Sequence, residues 1–158
     1  MQCIPYNKLN LLYGIHCIMT ENQSLGFLIA DVSRLTRRSF QNKLEGTGLT
    51  LATARALLYI SKNEGIRQVV LAEMLEIKPI SLARLVDQLA DAGVVERRPD
   101  PTDRRAHKLY LTAAAEPQLT IIKSVIKAVG VESLMGLNVE QQEAMLAALA
   151  KMRCNLSV

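Results

Sequence analysis

The sequence predicts a mostly α fold with a small β hairpin, in the order of a winged helix-turn-helix flanked by long dimerisation helices. Two observations carry this. Apolar residues recur at steps of three or four along most of the chain, and the period drops to about two only in residues 94–98 and 106–111. A helix pair broken at Ile77-Lys78 stands directly before those two segments. With 158 residues, 49% hydrophobic and 22% charged, the chain suits one compact folded domain rather than disorder or a disulfide-rich miniprotein.

In chain order, residues 1–23 read as an N-terminal extension. Met19 followed by TENQSLGF has the form of a second start, so the natural start is Met1 or Met19. The segment LNLLYGIHCIM falls short of the ~20 apolar residues that span a bilayer. Residues 24–49 form a first dimerisation helix, with Leu25, Leu28, Ile29, Val32, Leu35, Phe40 and Leu44 along one face and Gly46 and Gly48 at its end. Residues 50–111 hold the winged helix-turn-helix. Thr50 caps a helix to about Asn63, with Gly65 as its stop, and a short helix covers Val69 to Glu76. Lys78-Pro79 then restarts the chain into a helix ending at Ala92-Gly93. Two strands follow, Val94–Arg98 and Ala106–Leu111, joined by PDPTDRR as a long, exposed tip. Residues 112–158 hold two C-terminal dimerisation helices, the first capped by Thr112 and delayed by Pro117, the second running from Val139 to about Arg153.

On the helix after Pro79, Leu82, Leu85, Val86 and Leu89 form a core face. Ser81, Arg84 and Gln88 fall within a wedge of about 60° on another side. That wedge reads either as an ordinary solvated face or as a major-groove surface, where Arg donates twice to guanine and Gln pairs with adenine. The hairpin favours the second reading. Between Arg97 and Lys108 lie five basic residues (Arg97, Arg98, Arg104, Arg105, Lys108) and two acidic ones (Asp100, Asp103), a net +3 of the chain's +4. An Arg at such a tip fits a narrow minor groove, with phosphates alongside. The candidate DNA-binding set on this reading is Lys78, Pro79, Ser81, Arg84, Gln88, Arg104, Arg105 and Lys108, its partner double-stranded DNA.

The stretch KPISLARLVDQLADAGVVERRPDPTDRRAHKLYLT resembles the winged-helix core of the MarR transcription regulators, and TAAAEPQLTIIKSVIK resembles the dimerisation helix of its SlyA-type branch. The resemblance covers about residues 24–154. It implies a MarR-like homodimer on a pseudo-palindromic operator, a ligand-responsive repressor with Arg84 reading the major groove and Arg104 the minor groove, flanked by Asp103 and Arg105. It further implies a small aromatic carboxylate or phenol as effector, with Arg34 and Arg37 as its basic partners and Leu58 and Tyr59 as walls. The reactive cysteine of the peroxide-sensing branch falls on Gly26 here. Independently, Leu119, Ile121, Ile122, Val125, Ile126 and Val129, with Val139, Met145, Leu146 and Leu149, exceed what a thin DNA-binding module covers, so a partner subunit is expected.

No G-x-S-x-G, H-E-x-x-H, P-loop or dinucleotide fingerprint occurs, so no enzyme, cofactor or metal is expected. His107, beside the hairpin, reads as structural or phosphate-facing. Cys3, Cys17 and Cys154 form no C-x-x-C pair, which points to a reducing, cytoplasmic setting. A thiol-redox regulator using Cys17 or Cys154 is the alternative of the same fold. A protein-binding adaptor without DNA contact is the alternative of another class.

Overall fold

The computed structural model describes residues 24–157, the side chains of Arg104 and Arg105 apart. The proposed extension, the two starts, Cys3, His16 and Cys17 lie outside the described residues. The chain divides into two compact units, Met1–Leu35 and Thr36–Val158. Helix α1 (Leu25–Leu44) starts in the first and ends in the second. The Ser24 hydroxyl accepts the Phe27 N–H at 3.2 Å and caps it. In the first unit Leu25, Phe27, Leu28, Ile29, Val32 and Leu35 are all exposed.

In the second unit, the Thr50 hydroxyl accepts the Thr53 N–H at 3.1 Å and starts α2 (Leu51–Lys62), which buries Ala54, Ala56, Leu57 and Ile60. Gly65, at φ +79°, turns the chain beneath Tyr110, where a Cβ would lie 2.8 Å from the phenol oxygen. There follow β1 (Ile66–Arg67), α3 (Gln68–Leu75), α4 (Pro79–Asp91), β2 (Val95–Asp100) and β3 (Asp103–Leu111). The Thr112 hydroxyl accepts the Ala114 N–H and donates to the Gly93 carbonyl at 2.6 Å, tying the end of α4 to a short 3-10 turn at Ala113–Ala115. Pro117 sits in the first turn of α5 (Glu116–Ser133), where its missing N–H costs no hydrogen bond. Asn138 and Gln141 exchange reciprocal side-chain to backbone hydrogen bonds, a capping box that starts α6 (Val139–Leu156).

The core is built from Leu57 and Ile60 of α2, Leu71 of α3, Leu82 and Val86 of α4, Leu109 of β3 and Ile122 of α5. The expected fold class, mostly helical with a small β hairpin, is borne out. Two details differ. The sheet has three antiparallel strands in the order β1-β3-β2, with Ile66 opposite Leu109 and Arg67 opposite Lys108. A two-residue strand is too short to show a period. The long exposed tip is instead tight: β2 reaches Asp100, β3 starts at Asp103, and only Pro101 and Thr102 lie between. The side chain of Asp100 folds this turn by accepting the Thr102 N–H at 2.9 Å and its hydroxyl at 2.7 Å. Pro99 is tolerated because β2 is an edge strand, with a register irregularity at Pro99/Asp100.

Candidate nucleic-acid interface

Helices α3 and α4 are joined by Glu76, Ile77 and Lys78. Glu76 takes the left-handed conformation (φ 57°, ψ 40°), and its N–H bonds back to carbonyls of Ala72 and Glu73. That reversal lets α4 cross α3 and bury Leu82, Val86 and Leu89, with Leu85 half-buried. Lys78, Pro79, Ser81, Arg84 and Gln88 are all exposed, so the structure gathers the helix part of the predicted set on the outer side of α4 and its leading turn. An exposed Arg, Gln and Ser on one short helix present donors and acceptors of the kinds that pair with base edges.

The hairpin behaves differently from the simple sum of its charges. Arg97 donates to Asp87 at 2.5 Å and to the Ala83 carbonyl at 3.3 Å, so it holds β2 against α4. Arg98 pairs with Glu96 and stacks over the Tyr110 ring, 4.2 Å from its centroid. Arg97 and Arg98 are thus engaged with acidic neighbours, and Lys108 pairs more loosely with a third. Lys108 is half-buried, 3.9 Å from Asp100. Asp103 is exposed at the start of β3. Arg104 and Arg105 follow it in β3, and the roles expected of their side chains lie outside the described residues. His107 is exposed on β3, opposite Pro99.

The sequence reading missed the anchor of this hairpin. Asp100, only 2% exposed, receives Arg67 Nε at 2.7 Å, and the same guanidinium reaches the Thr102 hydroxyl at 3.1 Å. The Thr102 N–H, then its hydroxyl and Arg67, hold the Asp100 carboxyl well below the usual carboxylate range against the opposing effect of burial. Arg67 stands at the N-cap of α3 without a side-chain cap bond, so the residue that opens the helix pair also clamps the hairpin. The D-x-T spacing of an Asx turn was the available signal; its partner 33 residues upstream left none.

Two cavities flank this framework. One of about 290 Å³ opens beside Arg67, Gln68, Val69, Ala106 and His107. Another, of about 180 Å³, is lined by Thr36, Arg37, Phe40, Leu51, Ala54, Arg55, Leu58 and Ile126. Of the predicted effector residues, Arg37 and Leu58 line it. Tyr59 packs against the core, and Arg34, in the first unit, is bonded to Asp31 at 2.6 Å. Arg55, which the sequence reading passed over, supplies a second guanidinium. Nearby, Glu132 of α5 accepts Lys43 at 2.9 Å and Ser39 at 2.9 Å; Lys43 first, then Ser39, lower its pKa. Among the described residues no His, Cys, Asp and Glu group could hold a metal ion. No described helix is long and apolar enough to cross a membrane. Cys154, on α6, is an exposed free thiol.

Residues 47–106 match the family model described as MarR family, a span covering α2 to the middle of the hairpin. Solved structures agree over a longer stretch. Wild-type MarR from E. coli in its apo form is 25% identical, with a TM-score of 0.74 over 82% of this chain and 96% of that one. A MarR transcriptional regulator from Methanosarcina mazei Go1 is 24% identical, with a TM-score of 0.74 over 83% and 94% of the two chains. BpsR from Bordetella bronchiseptica, whose DNA binding is regulated by 6-hydroxynicotinic acid, is 19% identical, with a TM-score of 0.69 over 82% and 98%. Over residues 47–106 the chain matches the MarR family model, and its fold is the winged-helix fold of the MarR regulators to which it is similar.

Proposed function

We propose that this protein is a sequence-specific, double-stranded DNA-binding repressor of the SlyA type that acts as a homodimer. The observation that carries this reading is the exposed face of Ser81, Arg84 and Gln88 on α4, held beside a hairpin that the Arg67–Asp100 pair fixes in place. Residues 50–111 form the DNA-binding region; the helices of 24–49 and 112–158 form the dimer. Two-fold symmetry then sets two α4 helices in successive major grooves, about 34–36 Å apart on a pseudo-palindrome. Lys78, Pro79 and Lys108 lie on the DNA-facing side, Asp103 and Arg105 shape and flank the hairpin tip, and Arg104 enters the minor groove. The setting is cytoplasmic.

A titration of labelled upstream DNA tests it. Arg84→Ala costs about 1–3 kcal/mol on the preferred site and relaxes base choice there, with a smaller change on random DNA. Equal loss on both sequences removes the base-reading role. Arg104→Ala weakens binding and makes its salt dependence shallower; unchanged affinity across a salt series takes the hairpin out of the reading.

The same protein responds to a small aromatic carboxylate. The cavity beside Arg37 and Arg55 supports this, because an engineered cavity of about 150 Å³ already holds a benzene ring and a guanidinium pairs a carboxylate bidentately. Salicylate binding by wild type, lost in an Arg37→Ala, Arg55→Ala double variant and coupled to weaker DNA binding, is the expected result. A 10-fold loss of DNA affinity requires about 1.4 kcal/mol of differential binding. Salicylate that binds both proteins equally occupies another site.

A further inference from the structure

The outer face of α4 carries one large apolar side chain that a polar reading of that face leaves unused. Ile80, the second residue of α4, is 62% exposed, although the helix buries Leu82, Val86 and Leu89 completely or nearly so. At 100° per residue, Ile80 lies about 40° from Arg84 and about 80° from Gln88, and at least about 120° from each of those three core residues. It is therefore part of the outward face. It stands one helical turn before Arg84, within side-chain reach of the same ligand.

Water is a poor environment for an isoleucine, and the position singles out what replaces it. The N-terminal residues of a recognition helix are those that meet base edges in the major groove. The base edges there are donors and acceptors with a single apolar feature, the 5-methyl group of thymine. Ser81, Arg84 and Gln88 match the polar edges; Ile80 has no polar atom to offer any of them. We infer that Ile80 reads a thymine 5-methyl group in each half-site, next to the base that Arg84 contacts, and so sets sequence choice at that position. The inference rests on the DNA-binding reading above and adds a specificity determinant to it.

The test uses the full chain and replaces the operator thymines one at a time by deoxyuridine, which lacks only the methyl group. Wild type is expected to lose about fourfold in affinity at one position per half-site, the fold-change of a methyl contact worth ~0.8 kcal/mol. Ile80→Ala is expected to bind the thymine operator more weakly and to lose nothing further at that position, with Ile80→Val in between. Melting curves of both variants matching wild type show that the fold is kept; should the alanine variant melt lower, Ile80→Val alone carries the comparison. Wild type indifferent to every deoxyuridine, or full sensitivity retained in Ile80→Ala, overturns the inference while leaving DNA binding in place. A changed oligomeric state with unchanged deoxyuridine response overturns it too and makes Ile80 a protein contact. No sequence-selective binding by wild type removes the DNA-binding reading and this inference with it.

Discussion

Helices α4 and α6 obtain their order from opposite sources. The local signals of α6 are strong: a full capping box at Asn138, Glu140 in its first turn and Arg153 in its last. Yet α6 buries no residue, and Val139, Leu146 and Leu149 remain 68%, 57% and 44% exposed. In α4 the Lys78 cap makes no side-chain bond and neither end carries a compensating charge, but Leu82, Val86 and Leu89 are packed away. Local chemistry decides that a helix forms; burial decides where it sits. The position of α4 is fixed within one chain, whereas the apolar residues of α6 are left for a second copy in the proposed dimer.

The largest expected effect tests that contrast directly. Leu82→Ala should cost about 2–5 kcal/mol, because a fully buried leucine leaves a cavity, and the loss should not depend on protein concentration. Leu149→Ala should lower stability only where the dimer is populated, so its deficit vanishes on dilution. Urea melts at two concentrations, with sedimentation for the oligomeric state, measure both. A concentration-independent deficit for Leu149→Ala would make α6 part of a single-chain core and break the comparison.

A smaller effect is expected at the seam between α2 and the sheet. Gly65→Ala forces a side chain into the left-handed region, at a cost of about 1–2 kcal/mol, and also displaces the phenol of Tyr110 from under its Cβ. Tyr110 supports Arg98 by ring stacking, so the damage extends to the hairpin. Lower thermal stability together with weaker DNA binding is the expected pair of results. Unchanged stability would mean that the turn relaxes away from φ +79° freely.

The hairpin anchor has a pH signature. The folded carboxyl of Asp100 titrates well below its unfolded value of about 4. A depressed folded pKa means that the unfolded chain takes up the proton first, so the stabilisation is complete above that unfolded value and declines as pH falls toward the folded one. The melting-temperature difference between wild type and Asp100→Asn should therefore be constant from pH 7 to 5 and shrink below about pH 4. A difference that disappears already between pH 7 and 5 would assign the titration to another group.

These contrasts also mark what the sequence made legible. The periodicity of α1, α2, α4 and α5 and the caps at Thr50 and Thr112 follow from local chemistry, which a single sequence displays. The outward set of Ser81, Arg84 and Gln88 was legible because helical spacing alone separates it from Leu82, Val86 and Leu89. Pairings across the chain were not. Arg67 with Asp100, Arg97 with Asp87, and Arg37 with Arg55 around one cavity join residues whose spacing carries no period. The charge count of the hairpin did not show how that charge is shared, since ion pairs within the chain engage Arg97, Arg98 and Lys108. Strand β1 was invisible because its two residues pair only through β3.

The smallest expected effect lies in the turn that sets α4 on α3. Glu76 holds φ 57° without being glycine, a conformation that costs an L side chain about 1–2 kcal/mol. Glycine removes that cost but adds freedom to the unfolded chain worth about 0.4–1 kcal/mol. Glu76→Gly should therefore stabilise the protein by about 0.5 kcal/mol, raising its melting temperature by about 1–2 °C. Glu76→Ala is the necessary companion, because a carboxylate at the C-terminal end of α3 also opposes the helix dipole. If only the glycine variant gains, the backbone of this turn holds the strain. If both gain equally, the benefit comes from removing charge, and the left-handed turn that sets the outer face of α4 is fixed by packing alone.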